Sequence, residues 1–458
     1  LMLETEPDLS VFSQIDFTNG AVAAVSGGSD STALLLLLKD HLDRTAPATK
    51  LLAVTIDHGL RPGSAAEAQA VARLCAERGI AHRTLVWSGR KPSTGLPAAA
   101  REARYRLLAE AAQAEGIGLI LTGHTADDQA ETVLMRRVRG YGAREEGRGL
   151  AGMAPATLYD WRIWIARPLL GTRRAALRDV LRRANVGWAE DPTNEDEAFE
   201  RPRIRAALAD SNNAQRVEDA VALAARAAVE REQLGHRAAA LIRGFASSPA
   251  DGLIRLDPGF ATAGDEPAAV YALRILLATV GGAAFLPDKA RSEALLDRLR
   301  AAPFCATLSR TVVDARRAGI FLRRETRNLP PAAPAVDNAL WDGRRRIKLG
   351  DESGALLIAP LGAARAAKLA TAEDGTPPSL VRAALAAEPV LWRASEYLGE
   401  CPGPAQDSPV LPRTAVCPVV APFARFLPSF DLAPAGTVAA LIGAPLLPAP
   451  PFSGHTAG

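Results

Sequence analysis

The chain has only four cysteines in 458 residues, Cys75, Cys305, Cys401 and Cys417, far apart and with no Cys-x-x-Cys pair. That spacing argues against a disulfide framework, a zinc knuckle or an iron–sulfur cluster, and makes a reducing cytoplasm the expected setting. Long apolar runs are missing too. Nothing approaches the ~18 residues of a membrane span, and the five leucines Leu34–Leu38 are closed off by Lys39 and Asp40. The N-terminal residues lack a basic segment leading into an apolar core and a small-residue cleavage site, so neither secretion nor a membrane partner is expected. Net charge is small, at +3, and does not by itself mark a nucleic-acid binder. Its distribution says more: from Arg136 to Arg183 twelve arginines stand against four acidic residues. A concentrated excess suits a phosphate backbone. The competing explanation is that arginine is abundant, and lysine scarce, throughout the chain.

At this length two or three domains are expected. The first ~200 residues alternate short apolar strands with helices. "AVAAV" from Ala21 leads through a loop to a leucine-rich helix. "LLAVTI" from Leu51 leads to a helix that ends near Gly79, for which Ser64 and Glu67 have capping-box spacing. "HRTLV", a helix over 97–116 and "IGLIL" from Ile117 complete the pattern. Strands joined by crossover helices form a parallel sheet, and its ligand belongs beyond the strands' carboxyl ends. The fold class is therefore α/β, a doubly wound parallel sheet over residues 1–205. A mainly helical region follows over 206–330, with a strand pair in "CATLSRTVVDARRAGIFLRRE". The proline-rich 327–338 reads as a linker, 339–432 as a small α+β domain, and 433–458 as a disordered tail.

"SGGSDS", Ser26 to Ser31, lies where a strand hands over to a helix. Gly27 and Gly28 let the backbone approach a ligand, and successive amides with the helix start form an anion nest. Ser26, Ser29 and Ser31 add hydroxyl groups. The lysine of a Walker loop is missing. Asp30 is then informative, because a carboxylate about 4 Å from a phosphate oxygen costs about 4 kcal/mol at an effective dielectric of ~20 unless a cation intervenes. Asp30 is accordingly the expected Mg²⁺ ligand, against the alternative that Ser29 or Asp30 only caps the helix.

"TGHTADDQAETVLMRRVRG", Thr122 to Gly140, is a second strand-to-helix corner. Thr125 and Asp128 have capping-box spacing, which leaves Asp127 unexplained, since adjacent carboxylates at one helix end repel. A divalent ion on Asp128 and Asp30 relieves both corners. Gly123, His124 and Asp127 join the expected phosphate site, with packing as the alternative role for His124. Arg104 falls within the apolar face of its helix and needs a partner there, either an acid or a ligand phosphate.

With both corners in view, "SGGSDS" resembles the signature of the PP-loop ATP pyrophosphatases. "DHGLRPGS", "AREARYRLL", "GHTADDQAETVLMRRVRG", "GLAGM", "RPLL" and "WAEDPTN" together resemble one family of that class, the bacterial tRNA(Ile)-lysidine synthetases. The ordered set covers roughly residues 20–205, and "IAPLGAARAAKLA" and "PPSLVRAALAAEPVLW" match the family's C-terminal tRNA-binding part more loosely. The resemblance implies joining free L-lysine to the wobble cytidine of a tRNA(Ile) with a CAU anticodon. ATP is consumed through an adenylated cytidine, giving AMP and pyrophosphate. It implies Asp30, Arg104, Asp128 and Arg201 in catalysis, Mg²⁺ on Asp30 and Asp128, and Ile56 with Asp57 and His58 at the adenine, although Ile56 would be apolar in any core strand. The glycine-rich 139–153 stretch is either a lid or a plain surface loop. Tyr141 stands where the family pattern has serine, "AREEGR" lengthens that loop, and Pro202 removes an amide beside Arg201. A homodimer is compatible with the sequence, which fixes no oligomeric state. Three rivals stand beside this reading: a tRNA thiolase, an amidating synthetase and a catalytically dead RNA-binding module.

Overall fold

The computed structural model describes residues 10–60, 63–140, 148–190, 213–301, 303–350, 356–371, 375–393, 396–397 and 415–452. Two compact units divide the chain: Leu1–Arg231 with Pro428–Phe430 and Pro448–Gly458, and Glu232–Leu427 with Asp431–Leu447.

The first unit opens with a short helix, α1 (Ser10–Ser13), and then alternates as its sequence demands. β1 (Ala21–Ala24) is buried on both faces, which is why it reads as a continuous apolar run. α2 (Ser29–Thr45) buries Leu34, Leu35 and Leu38 completely, each contributing about 2 kcal/mol. β2 (Leu51–Asp57), α3 (Ser64–Glu77), β3 (Ala81–Val86), α4 (Leu96–Ala114), β4 (Leu119–Thr122) and α5 (Ala126–Val138) follow. A hairpin, β5 (Ala156–Tyr159) and β6 (Ile163–Ala166), precedes α6 (Arg174–Arg183). Within this unit the strands lie in the order β5-β6-β4-β1-β2-β3. β1 pairs in parallel with β2, Val22 opposite Leu52, and with β4, Val22 opposite Ile120. β6 is parallel to β4, and β5 is antiparallel to β6. The chain thus builds outward from β1 to β3, then returns through α4 to place β4 on the other side of β1. That reversal makes the carboxyl ends of β1 and β4 the switch point where an open α/β sheet binds its ligand.

One local expectation fails here and one element goes unforeseen, each for an identifiable reason. α3 starts after Gly63 with no side-chain cap, so the Ser64–Glu67 box does not form. The Ser64 side chain hydrogen-bonds Asp57 instead, which helps hold that carboxyl below its ordinary value. The β5–β6 hairpin escapes sequence reading because its turn uses Asp160 and Trp161 at φ 51° and 63° rather than glycine.

In the second unit the expected strand pair is part of a larger sheet, with order β7-β8-β11-β10-β9. Its strands are β7 (Ala246–Ala250), β8 (Leu253–Leu256), β9 (Phe304–Leu308), β10 (Thr311–Arg316) and β11 (Gly319–Arg324). A long helix, α7 (Asn213–Phe245), carries the division between the units. α8 (Glu266–Gly281) is buried all round, started by Asp265 and stopped by Gly282 at φ +69°. The proline-rich stretch pairs through Ala333–Pro334 with Leu356–Pro360. Residues expected to form a disordered tail instead include a helix, Leu432–Ile442, whose Leu432, Ala435, Val438 and Ala439 are buried. Their spacing at i, i+3, i+6 and i+7 is an apolar helix face that the surrounding prolines obscure.

Candidate active site

Each strand at the switch point runs into a corner and then a helix. After β1, Gly27 turns at φ +87°, a conformation that glycine alone adopts without strain, and its carbonyl accepts from Ala189 N at 2.9 Å. Ser31 folds the loop back on itself. Its oxygen accepts from Ser26 N at 3.1 Å and its hydroxyl donates to the Gly28 carbonyl at 3.2 Å. α2 begins after Gly28, and no side chain caps its first turn. Ser29 and Asp30 therefore do not serve as the cap, and the helix start keeps amides available for an anion.

After β4, Gly123 closes against this loop. A Cβ there would lie 2.7 Å from the Asp30 carbonyl oxygen and 2.9 Å from Ser31 Cα. Thr125 then caps α5 in the expected box, and Asp128 Oδ2 accepts from both Thr125 N and Thr125 Oγ1 at 2.9 Å. Capping uses only that oxygen. Asp128 Oδ1 accepts from Arg174 Nη2 at 2.9 Å, while Arg174 Nε donates to Asp30 Oδ2 at 2.8 Å. Glu131 Oε1 stands 3.8 Å from Arg174 Nη1. One guanidinium thus joins the two acidic corners.

Asp127 has a separate task. It accepts from Arg174 N at 2.7 Å and from Arg173 Nη2 at 3.2 Å, so it caps the start of α6. The adjacent acids avoid repulsion by serving different helices. Sequence reading missed Arg174 and Arg173, and "RR" following "RPLLGT" carries no periodicity that would point across the sheet to Asp30. Gln129 was missed as well: its amide pairs with Met153, accepting from Met153 N at 2.7 Å and donating to the Met153 carbonyl at 3.1 Å. That pairing holds "GLAGM" to α5.

The electrostatics match a site that wants a cation. Burial pushes the Asp30 carboxyl above its ordinary value despite the opposing pull of Arg174. For Asp128 burial also works upward, but Arg174 and the Thr125 hydrogen bonds outweigh it and leave the carboxyl below its ordinary value. His124 is pushed down to about 3 by burial, with Arg167 adding to the effect, so its imidazole is neutral at physiological pH. Its Nδ1 lies 2.9 Å from Thr122 Oγ1.

Beside the first corner is a cavity of about 330 Å³, lined by Ser26, Ile56, His58, Glu67 and Arg104 among others. The volume suits a small-molecule ligand. Arg104 makes no hydrogen bond or ion pair among the described residues, so the acid partner weighed for it is not found there. His58 Nδ1 is buried without a hydrogen-bond partner among those residues. A polar atom left in that state fits a wall completed by ligand. Arg201, Pro202 and residues 141–147 of the 139–153 stretch, expected as a lid or a surface loop, lie outside the described residues.

The carboxylates of Asp30 and Asp128 are the donor type that Mg²⁺ takes. No group of three acidic, histidine or cysteine side chains is arranged for a metal among the described residues. Magnesium in nucleotide sites commonly uses one or two carboxylates plus phosphate oxygens, so the residues fit a metal brought by a nucleotide. Cys75 offers no thiolate chemistry, since it is fully buried and its thiol is pushed up to about 11.

A loop of this composition at the switch point of a parallel sheet, without a Walker lysine and with an acid at each of two corners, defines a PP-loop nucleotide enzyme. The family model described as a PP-loop domain matches residues 7–212. The chain is 72% identical to the tRNA(Ile)-lysidine synthase of Mesorhizobium japonicum over the whole of both proteins. It is 38% identical to the Rhizobium meliloti enzyme of that name over 94% of this chain and 93% of that one. For the Brucella anthropi enzyme the identity is 40% over 81% and 83%. This chain belongs to the tRNA(Ile)-lysidine synthase family.

Proposed function

We propose that the enzyme uses ATP to adenylate the wobble cytidine of a tRNA(Ile) with a CAU anticodon and then joins free lysine to it. The cytosine 2-oxygen attacks the α-phosphorus, the α–β phosphoanhydride bond breaks and pyrophosphate leaves. The lysine ε-amine, having lost a proton, then attacks carbon 2, and AMP leaves with the oxygen. The observation that carries the ATP chemistry is the convergence of Asp30 and Asp128 on a single cation at the switch point. The substrate is carried over from the relatives' name.

Each residue has a role in this scheme. The Gly27–Gly28 backbone and the Ser26, Ser29 and Ser31 hydroxyls hold the phosphates in line. Ile56 and His58 wall the base, and Arg104 meets negative charge from the cavity side. Charge neutralisation on the departing pyrophosphate is the chemistry that Mg²⁺ on Asp30 and Asp128 supplies. A carboxylate near the corner, Asp127, Asp128 or Glu131, receives lysine's proton. His124 and Gly123 complete the phosphate wall, and the family pattern implies a catalytic role for Arg201. The setting is cytoplasmic.

Incubation with radiolabelled lysine, ATP and total tRNA tests the scheme. The expected result is label in tRNA(Ile) alone, with one AMP and one pyrophosphate per lysine. Incorporation without ATP, or none at all, overturns it.

The arginine-rich 136–183 segment contributes less to tRNA affinity than its composition implies. Arg136 donates to the Gly149 and Gly152 carbonyls, Arg167 is buried on Ala154 and Thr157, and Arg173 and Arg174 serve the acids. Arg137, Arg139, Arg162, Arg182 and Arg183 are exposed. For about five phosphate contacts, tRNA affinity is expected to fall about three hundredfold between about 50 and 200 mM salt. A flat filter-binding titration would count against this segment as a tRNA surface.

A further inference from the structure

The acids at the two corners are organised around a protein cation. Arg174 reaches Asp30 at 2.8 Å and Asp128 at 2.9 Å, with Glu131 at 3.8 Å. Its backbone is anchored independently, because the Arg174 amide donates to Asp127. Its side chain is 22% exposed, so the guanidinium can leave the acids without moving α6. Each carboxylate that would hold a metal already gives one oxygen to this side chain.

We infer that Arg174 is the resident counter-cation of the nucleotide-free enzyme, yielding Asp30 and Asp128 to the incoming metal–nucleotide and taking a phosphate oxygen in exchange. The inference rests on the ATP reading and deepens it. A guanidinium and a divalent ion compete for one acid pair, because like charges at that separation repel in a partly buried site. Released, the guanidinium is the side chain best matched to phosphate, with its planar fork of donors. Two consequences follow from this exchange. Metal alone binds poorly, since it must displace Arg174 without offering the guanidinium a new anion. Metal and triphosphate bind well together, since the triphosphate supplies that anion. Arg174 is thereby a positioning residue before the nucleotide enters and a phosphate ligand afterwards.

The test uses the full chain and Mn²⁺ alone as probe, read by electron paramagnetic resonance, with Mg·ATP binding read by calorimetry. Arg174→Gln is expected to bind Mn²⁺ without nucleotide at least about tenfold more tightly than wild type. It is expected to bind Mg·ATP about tenfold more weakly, and Arg174→Lys should fall between on both measures. A merely structural arginine would not raise metal affinity when removed. Unchanged or weaker Mn²⁺ binding by folded Arg174→Gln, checked by circular dichroism, overturns the inference. Should Arg174→Gln not fold, Arg174→Lys decides: a single ammonium cannot span both carboxylates as the guanidinium does, so Mn²⁺ affinity must still rise, and an unchanged value overturns the inference. Failure of the ATP reading looks different, because wild type itself then takes no Mg·ATP.

Discussion

Asp30→Ala abolishes tRNA-dependent pyrophosphate release, by about 10³-fold or more, while tRNA affinity stays within about twofold of wild type. The reasoning starts from position. Asp30 lies in the first turn of α2, beside a glycine turn and a helix start that no side chain caps. Among the described residues its side chain hydrogen-bonds Ser29 and Arg174, and Arg174 keeps its anchors on Asp127 and Asp128 when Asp30 is removed. Burial holds the Asp30 carboxyl above its ordinary value against the pull of Arg174. Removing the charge leaves Arg174 on Asp128 and takes away half of the cation site. Asp30→Asn keeps the shape and removes the charge, so it should lose nearly as much activity with an unchanged melting temperature. Pyrophosphate release within about tenfold of wild type in either variant would remove Asp30 from the mechanism. Binding and turnover are measured separately, by filter retention of tRNA and by a coupled pyrophosphate assay.

Much of the first unit is legible because its information is local. β1, β2, β3 and β4 are apolar runs bounded by turn residues, and the crossover helices between them leave a parallel sheet as the outcome. The two corners are legible for the same reason: glycine, serine and aspartate change the backbone period from two to 3.6 within a few residues. What stays hidden is tertiary. Asp127 and Asp128 are neighbours with the same chemistry, and only the arrival of α6 decides that one caps it and the other faces Asp30. Arg174 sits 144 residues from Asp30 in the chain, and no periodicity links them. The arginine count misleads in the opposite direction, since Arg136 and Arg167 satisfy backbone carbonyls inside the fold. The helix Leu432–Ile442 lies mostly within the stretch expected as a disordered tail, and only the spacing of its buried apolar residues marks it.

Gly123 carries the other large expectation. Its missing side chain is what lets the second corner close onto the first, since a Cβ would meet the Asp30 carbonyl oxygen at 2.7 Å, the carbonyl carbon at 2.8 Å and Ser31 Cα at 2.9 Å. These are backbone atoms at the start of α2, and they cannot swing aside as a flexible side-chain tip would. Gly123→Ala should cost about 2 kcal/mol and Gly123→Val about 3 kcal/mol or more in urea unfolding, the range for overpacking a close contact. The catalytic loss should be larger than stability alone explains. Relief requires the Asp30 corner to move away from the Asp128 corner, and a shift of about 1 Å in such a constellation costs about a hundredfold in rate. Gly118 supplies the control, because a Cβ there meets nothing within 4 Å; Gly118→Ala should therefore stay within about 0.5 kcal/mol of wild type with normal turnover. If Gly123→Val unfolded at the wild-type midpoint and released pyrophosphate at the wild-type rate, the two corners would not need the close approach on which the shared cation depends.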